Sequence, residues 1–379
     1  MASSTLNIPQ ADKLSRDTLI SKTITALRWP LAFLVVLDHY FRLYLVEDSL
    51  GYNLENPQLI SGIEAFIISF LKNYPVPVFF FISGYLLYLG NLSLRNNYRA
   101  KLRKFPREII FPYIFWTMYA IAVAFIIGLS RGMESQSLLH IPEGGKFLSG
   151  PIKWLITTFI GTTWPANLPL WYVRDLALII IISPIIHWSL KLSKGWLLLL
   201  MGFVFLVYNN DNMAIRFSTG IFFFSLGYWF RYNQTDVLNL AKKLFIPALI
   251  VYICGATFYF IKYDITIDDT IRMPWINCFI KNVAVISFLP VVFHIVSYFV
   301  AKGWMKVDYK LAAASFFVYV THYPIHHVVV DMSTRIFGGE SEALVALASA
   351  SLFTPLVLTL IYYGLKGLLP SFMKVIDGR

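Results

Sequence analysis

Apolar runs long enough to cross a lipid bilayer recur from one end of this chain to the other, and nothing else in the sequence limits its fold as strongly. A hydrocarbon core about 30 Å thick needs roughly 20 residues of helix, because each residue advances about 1.5 Å. Ten such segments begin near Thr23, Tyr74, Ile109, Pro169, Gly195, Phe217, Leu244, Trp275, Leu311 and Ala343, the fifth and sixth being the shortest. With 57% hydrophobic and 14% charged residues, the expected fold is an all-α polytopic membrane protein, about ten transmembrane helices around a central polar cavity.

Loop charge supplies the orientation, because Lys and Arg accumulate on the cytoplasmic side of a membrane protein. With the N-terminus inside and ten crossings, 21 of the 32 basic residues fall on the cytoplasmic side and 15 of the 21 acidic residues on the outer side. Both termini are then cytoplasmic. The chain divides into a cytoplasmic segment 1–22, one transmembrane domain 23–368 and a cytoplasmic tail 369–379, with no fused soluble domain expected. Because the excess charge of +11 is spread over short loops facing a bilayer, no nucleic-acid partner is expected. Cys254 and Cys278 show neither a disulfide framework nor zinc spacing, so no metal is expected. The polar first twenty residues carry no cleavable signal pattern. The apolar "WLITTFIG" (154–161), inside the longest hydrophilic loop, reads as an interfacial or re-entrant piece.

Polar side chains inside the spans point to function. Arg28 and His39 lie eleven residues apart, almost three helical turns, and so project from nearly one face about 16 Å apart along the axis. Lys22 and Pro30, read as a helix start, put Arg28 at the cytoplasmic boundary and His39 near or past the membrane centre. An arginine at a helix end is also an ordinary topology anchor. A mid-span imidazole has no such excuse and needs a partner or a wet cavity. Asp38 and Arg42, four apart, read as a structural ion pair.

Ser83 and Gly84 interrupt a bulky second span, which suits close helix packing or a narrow ligand. The following loop packs Arg95, Arg99, Lys101, Arg103, Lys104 and Arg107 into thirteen positions, fit for topology, anionic lipid or a phosphate-bearing substrate. In the fourth span Trp171 and Tyr172 precede Arg174 and Asp175; an interfacial aromatic belt with a local ion pair explains them, and so does a sugar site, where rings stack and hydroxyls are bonded. In the ninth, Ser315, Tyr319, His322 and His326 form one stripe that must face a cavity or another helix, with Pro324 bending the segment.

Taken in order, "RWPLAFLVVLDH", "PVFFFISGYLL", the basic loop into "PYIFW", "LWYVRDL", "FFFSLGYWF" and "SFFVYVTHYPI" resemble the acyltransferase 3 family of integral-membrane O-acyltransferases, from about Thr23 to Tyr363. The resemblance implies transfer of an acyl group from cytosolic acyl-coenzyme A, acetyl-coenzyme A first, to a hydroxyl at the outer face of a bacterial cytoplasmic (inner) membrane. The acceptor it implies is usually a carbohydrate, most of all a sugar of a surface glycan or glycolipid, or else a small secreted molecule. It also makes Arg28 and His39 the essential pair, and Ser83, Gly84 and Leu86 the Ser-Gly-x-Leu signature. Its Arg-x-x-Arg element falls on Lys104 to Arg107, where lysine stands first, or draws on Arg103. The residues themselves suit that chemistry: His39 as general base for a hydroxyl, Arg28, Arg99, Arg103, Lys104 and Arg107 for the coenzyme's phosphates, and Trp171, Arg174, Asp175, Tyr319 and His322 toward the acceptor. Direct transfer and an acyl-His39 intermediate are equally open. A membrane transporter or exporter of a glycan or small solute is the alternative, weakened by the lack of an internal repeat; a non-catalytic scaffold is the third reading.

Overall fold

The structure is a computed structural model that describes residues 10–51, 53–87, 94–131, 164–207, 213–264, 274–337 and 342–378. Among these residues there are fourteen α-helices and no strand. α1 (Gln10–Tyr40) is followed by the short α2 (Leu43–Leu50). α3 (Gln58–Ile67) runs through one wide π turn, Ile68–Lys72, toward α4 (Pro75–Leu87), and α5 (Leu94–Phe105) through a second, Pro106–Ile110, into α6 (Phe111–Arg131). Then come α7 (Leu170–Leu192), α8 (Trp196–Val207), α9 (Met213–Tyr232), α10 (Val237–Asp264), α11 (Pro274–Ala301), α12 (Tyr309–Phe337), α13 (Ala343–Leu368) and α14 (Pro370–Ile376).

Among the described residues, seven stretches are long and apolar enough to cross a membrane: 16–40, 58–87, 98–129, 170–192, 237–261, 276–301 and 343–368. Large apolar side chains such as Phe125, Leu129, Ile250, Phe353 and Leu360 face outward from them. Such a surface belongs in lipid, and the protein is an integral membrane protein. Each of the ten expected apolar segments lies on a helix, but three of those helices stand apart from the seven. α8 has only 12 residues; α9 and α12 carry arginines, hydroxyls and, in α12, three histidines.

Several boundaries differ from expectation. The second apolar stretch begins at Gln58 and not near Tyr74, because a π turn extends α3 to Lys72 and leaves only Asn73 and Tyr74 before α4. The basic loop is the amphipathic helix α5, since no Pro or Gly interrupts Leu94–Phe105 and Leu, Arg, Lys and Ala favour helix. Pro30, read as a helix start, lies inside α1, which begins twenty residues earlier. Arg28 is therefore midway along the apolar stretch 16–40 and His39 is in the last turn. The 154–161 stretch lies outside the described residues.

Ion pairs fix which helix ends meet. Arg16 Nη1 lies 3.0 Å from Asp236, and Arg231 Nη1 donates to Asp17 at 3.1 Å and to Tyr85 at 3.4 Å. One end of the bundle thus gathers the start of α1, the last turns of α4 and α9, and the start of α10. α14 folds back onto the bundle: Trp116 Nε1 donates to Ile376 O at 3.0 Å, and Tyr362 to Asp377 Oδ2 at 3.0 Å.

Two packing devices hold the centre. α4 and α9 cross at glycines, where a Cβ on Gly84 would stand 2.0 Å from Phe224 O and one on Gly227 2.0 Å from Phe81 O. Only hydrogen fits there. In α12, Pro324 has no N–H for the carbonyl of Val320, four residues back. Asn167 Nδ2 takes that carbonyl at 2.8 Å and Trp116 O at 3.3 Å, while Tyr319 donates to Pro169 O at 2.6 Å. The buried turn before α7 is thereby clamped between α6 and α12.

Two outcomes follow for stability. Gly84→Ala should cost about 1–3 kcal/mol through overpacking, lowering the thermal midpoint in detergent, whereas Gly62→Ala, with open space around its Cβ, should not. Asn167→Leu should cost about 1–3 kcal/mol by orphaning a buried carbonyl; an unchanged midpoint would show that Val320 O finds another donor.

Candidate active site

The last turn of α1 delivers His39 against the polar stripe of α12. Ser315, Tyr319, His322 and His326 are all buried, as a lipid-avoiding stripe must be. The His39 ring lies 5.4 Å from that of His322 and meets Tyr323 edge-on at 5.2 Å. Tyr40, one residue on, donates to the backbone carbonyl of His322 at 2.8 Å and packs 6.3 Å from both His322 and His326. The His322 Nδ1 bonds the Val318 carbonyl at 3.1 Å. Since a carbonyl only accepts, Nδ1 carries the proton and Nε2 a lone pair. That Nε2 is buried without a hydrogen-bond partner among the described residues.

Beside this cluster, Arg42 bridges two carboxylates. It bonds Asp38, as the four-residue spacing predicted, and reaches Glu64 Oε1 at 3.2 Å. Glu64 Oε2 also accepts the backbone N–H of Leu43 at 2.8 Å, fixing where α2 starts, and Lys72 lies 4.0 Å from Asp38. The network ties α1, α2 and α3 into one rigid corner.

Toward the other end of α1, the half-buried Arg28 is within electrostatic range of Tyr172. The Tyr172 hydroxyl shares a hydrogen bond with Ser83 Oγ at 3.0 Å. Ser83 in turn lines a cavity of about 540 Å³ with Leu86, Leu176, Lys101, Lys104 and Glu108. Lys101 pairs with Glu108 at 2.7 Å, and Lys104 is exposed at the cavity. A polar aromatic series runs inward from that cavity. The Tyr172 and Tyr319 rings are 6.1 Å apart, Tyr319 and His322 6.3 Å, and His322 and His39 5.4 Å.

The sequence-chosen residues therefore divide. His39, His322 and Tyr319 converge, and Arg28, Ser83 and Lys104 share the cavity side. Gly84 faces the Phe224 backbone, so helix packing occupies it. Arg99, Arg103 and Arg107 are exposed around α5 and do not line the cavity. Arg174 and Asp175 form an ion pair at 2.7 Å with each residue only 1% exposed, inside the protein, and Trp171 is half-buried against Phe80. Sequence reasoning assigned no role to Tyr323 or Glu64, and named Tyr172 and Lys101 only within the fourth-span aromatic pair and the basic cluster. Lys101 had a signal, since it lies three positions after Tyr98 and four before the buried Phe105 on the inward face of α5.

Comparison with known proteins bears on the family. A family profile described as an acyltransferase domain matches residues 22–364, from inside α1 to near the end of α13. The succinoglycan biosynthesis protein ExoH of Rhizobium meliloti (strain 1021) is 26% identical over 178 residues, a match covering 45% of this chain and 45% of that protein. The chain thus spans under half the length of that relative. No solved structure shows significant similarity to the chain. With the profile matching almost the whole helical bundle, the chain belongs to the acyltransferase 3 family of membrane enzymes.

Proposed function

We propose that the protein transfers an acyl group, acetyl before succinyl, from acyl-coenzyme A to a sugar hydroxyl on the outer side of a bacterial cytoplasmic membrane. In this reading the chain crosses ten times with both termini cytoplasmic, as the loop charges favour. The observation that carries it is the cavity at Lys101, Lys104 and Ser83, joined by the Ser83–Tyr172 hydrogen bond to packed polar rings that mark a route toward His39 in the last turn of α1. A coenzyme suits such a route: its phosphates rest on ammonium groups at the mouth and its long arm runs inward. The partial similarity to a succinoglycan biosynthesis protein supports a polysaccharide acceptor.

His39 accepts the proton of the acceptor hydroxyl as that oxygen attacks the thioester carbonyl. The carbon–oxygen bond forms, the carbon–sulfur bond breaks, and the same proton passes to the departing thiolate. Arg28, about 16 Å of helix rise from His39, is too far to serve the carbonyl and holds the coenzyme's arm instead.

His39→Ala should bind acetyl-coenzyme A normally while losing turnover about 10²–10⁴-fold, and Arg28→Ala should lose binding; calorimetry and thiol release read the two. A His39→Ala protein that still releases thiol at the wild-type rate removes the base from the mechanism. Lys104→Glu should weaken donor binding about tenfold and flatten its dependence on salt. Equal affinity and equal salt slope would place the phosphates elsewhere.

A further inference from the structure

We propose that His322 positions His39: its Nε2 accepts the ring N–H that His39 directs away from the acceptor hydroxyl. The bond holds the base in the tautomer that leaves its other nitrogen free. The proposal rests on the acyl-transfer reading above, and adds to it the group through which His39 is oriented.

Four observations converge. His322 is wholly buried, and its Nδ1 is committed to the Val318 carbonyl, so only Nε2 remains to accept. That Nε2 has no hydrogen-bond partner among the described residues, and a buried acceptor left unmet is costly. Of the rings packed around His322, His39 is nearest, at 5.4 Å with the planes inclined 36°, against 6.3 Å for Tyr40 and Tyr319 and 6.5 Å for Tyr323. With His322 held on Val318, turning the His39 imidazole about its side-chain bonds would bring the two ring edges into N–H···N contact. Finally, Tyr40 donates to His322 O at 2.8 Å, so the residue next to His39 fixes the backbone of His322.

The neighbours leave that role to His322. The Tyr319 hydroxyl is spent on Pro169 O, and the His326 ring packs on Tyr40, Tyr323 and His327. His39 is half-buried and His322 fully so, hence an incoming hydroxyl meets His39 first. His322 is therefore a positioning residue. It supports the imidazolium formed when His39 takes the hydroxyl proton, and stays neutral when that proton leaves with the thiolate.

The test uses the purified full chain in detergent, acetyl-coenzyme A as donor, and glucose oligosaccharides and water as hydroxyl sources. His322→Ala should lower kcat about 10²–10³-fold with the KM for acetyl-coenzyme A unchanged, and His322→Gln, which returns an acceptor near the same point, should recover much of the loss. An activity-independent reading is carbethoxylation of His39 by diethyl pyrocarbonate, followed by mass spectrometry. Losing the Nε2 partner should slow it several-fold in His322→Ala and much less in His322→Gln, whereas a purely structural loosening would expose His39 and speed it. Unchanged or faster modification, or an unchanged kcat, overturns the proposal. If wild type releases no thiol while the carbethoxylation pattern holds, acyl transfer fails as the function and the His39–His322 bond stands.

Discussion

A polar side chain in a membrane helix must turn inward, and α12 carries Ser315, Tyr319, Thr321, His322, His326, Asp331 and Thr334, all buried. Most of the architecture accommodates that one helix. α1 and α13 pack along it, Tyr40 bonds its backbone, and the buried turn before α7 takes up the carbonyl that Pro324 releases. A helix with so many groups to satisfy cannot lie at the lipid boundary. Its neighbours must supply donors and acceptors at fixed heights.

The same need brings the site together. His39 belongs to α1, which is held to α12 by the tyrosine next in sequence, so the imidazole's height is set by a packing contact. Tyr172 belongs to α7, whose start is clamped to α12 through Pro169 and Asn167, so the approach from the cavity is set by the same helix. The Arg42 network closes the corner beyond His39 by joining α1 to α2 and α3. Site and scaffold share their hydrogen bonds, and a substitution at Asn167 or Tyr40 would act on both.

Much of this was legible in the chain. Apolar length announced the membrane bundle, and each of the ten segments became helix. The Asp38–Arg42 pair and the burial of the Ser315, Tyr319, His322 and His326 stripe followed from helical spacing alone. What misled were local cues with two meanings. Pro30 reads as a helix start, yet a membrane helix tolerates proline inside it, so Arg28 moved from the boundary to mid-helix. Gly84 reads as room for a neighbouring helix or for a ligand, and the room is filled by the Phe224 backbone.

The sequence by itself determined an all-helical membrane protein and the residues that had to avoid lipid, because each depends on composition and on a period within one helix. Only the tertiary structure decided which helices face each other: that His39 meets His322, that Ser83 meets Tyr172, and that Lys101 and Lys104, and not the arginines around them, line the cavity. Those pairings depend on crossings between helices distant in sequence. Glycines, a proline-released carbonyl and shared hydrogen bonds set them, and no periodicity within a single segment contains that information.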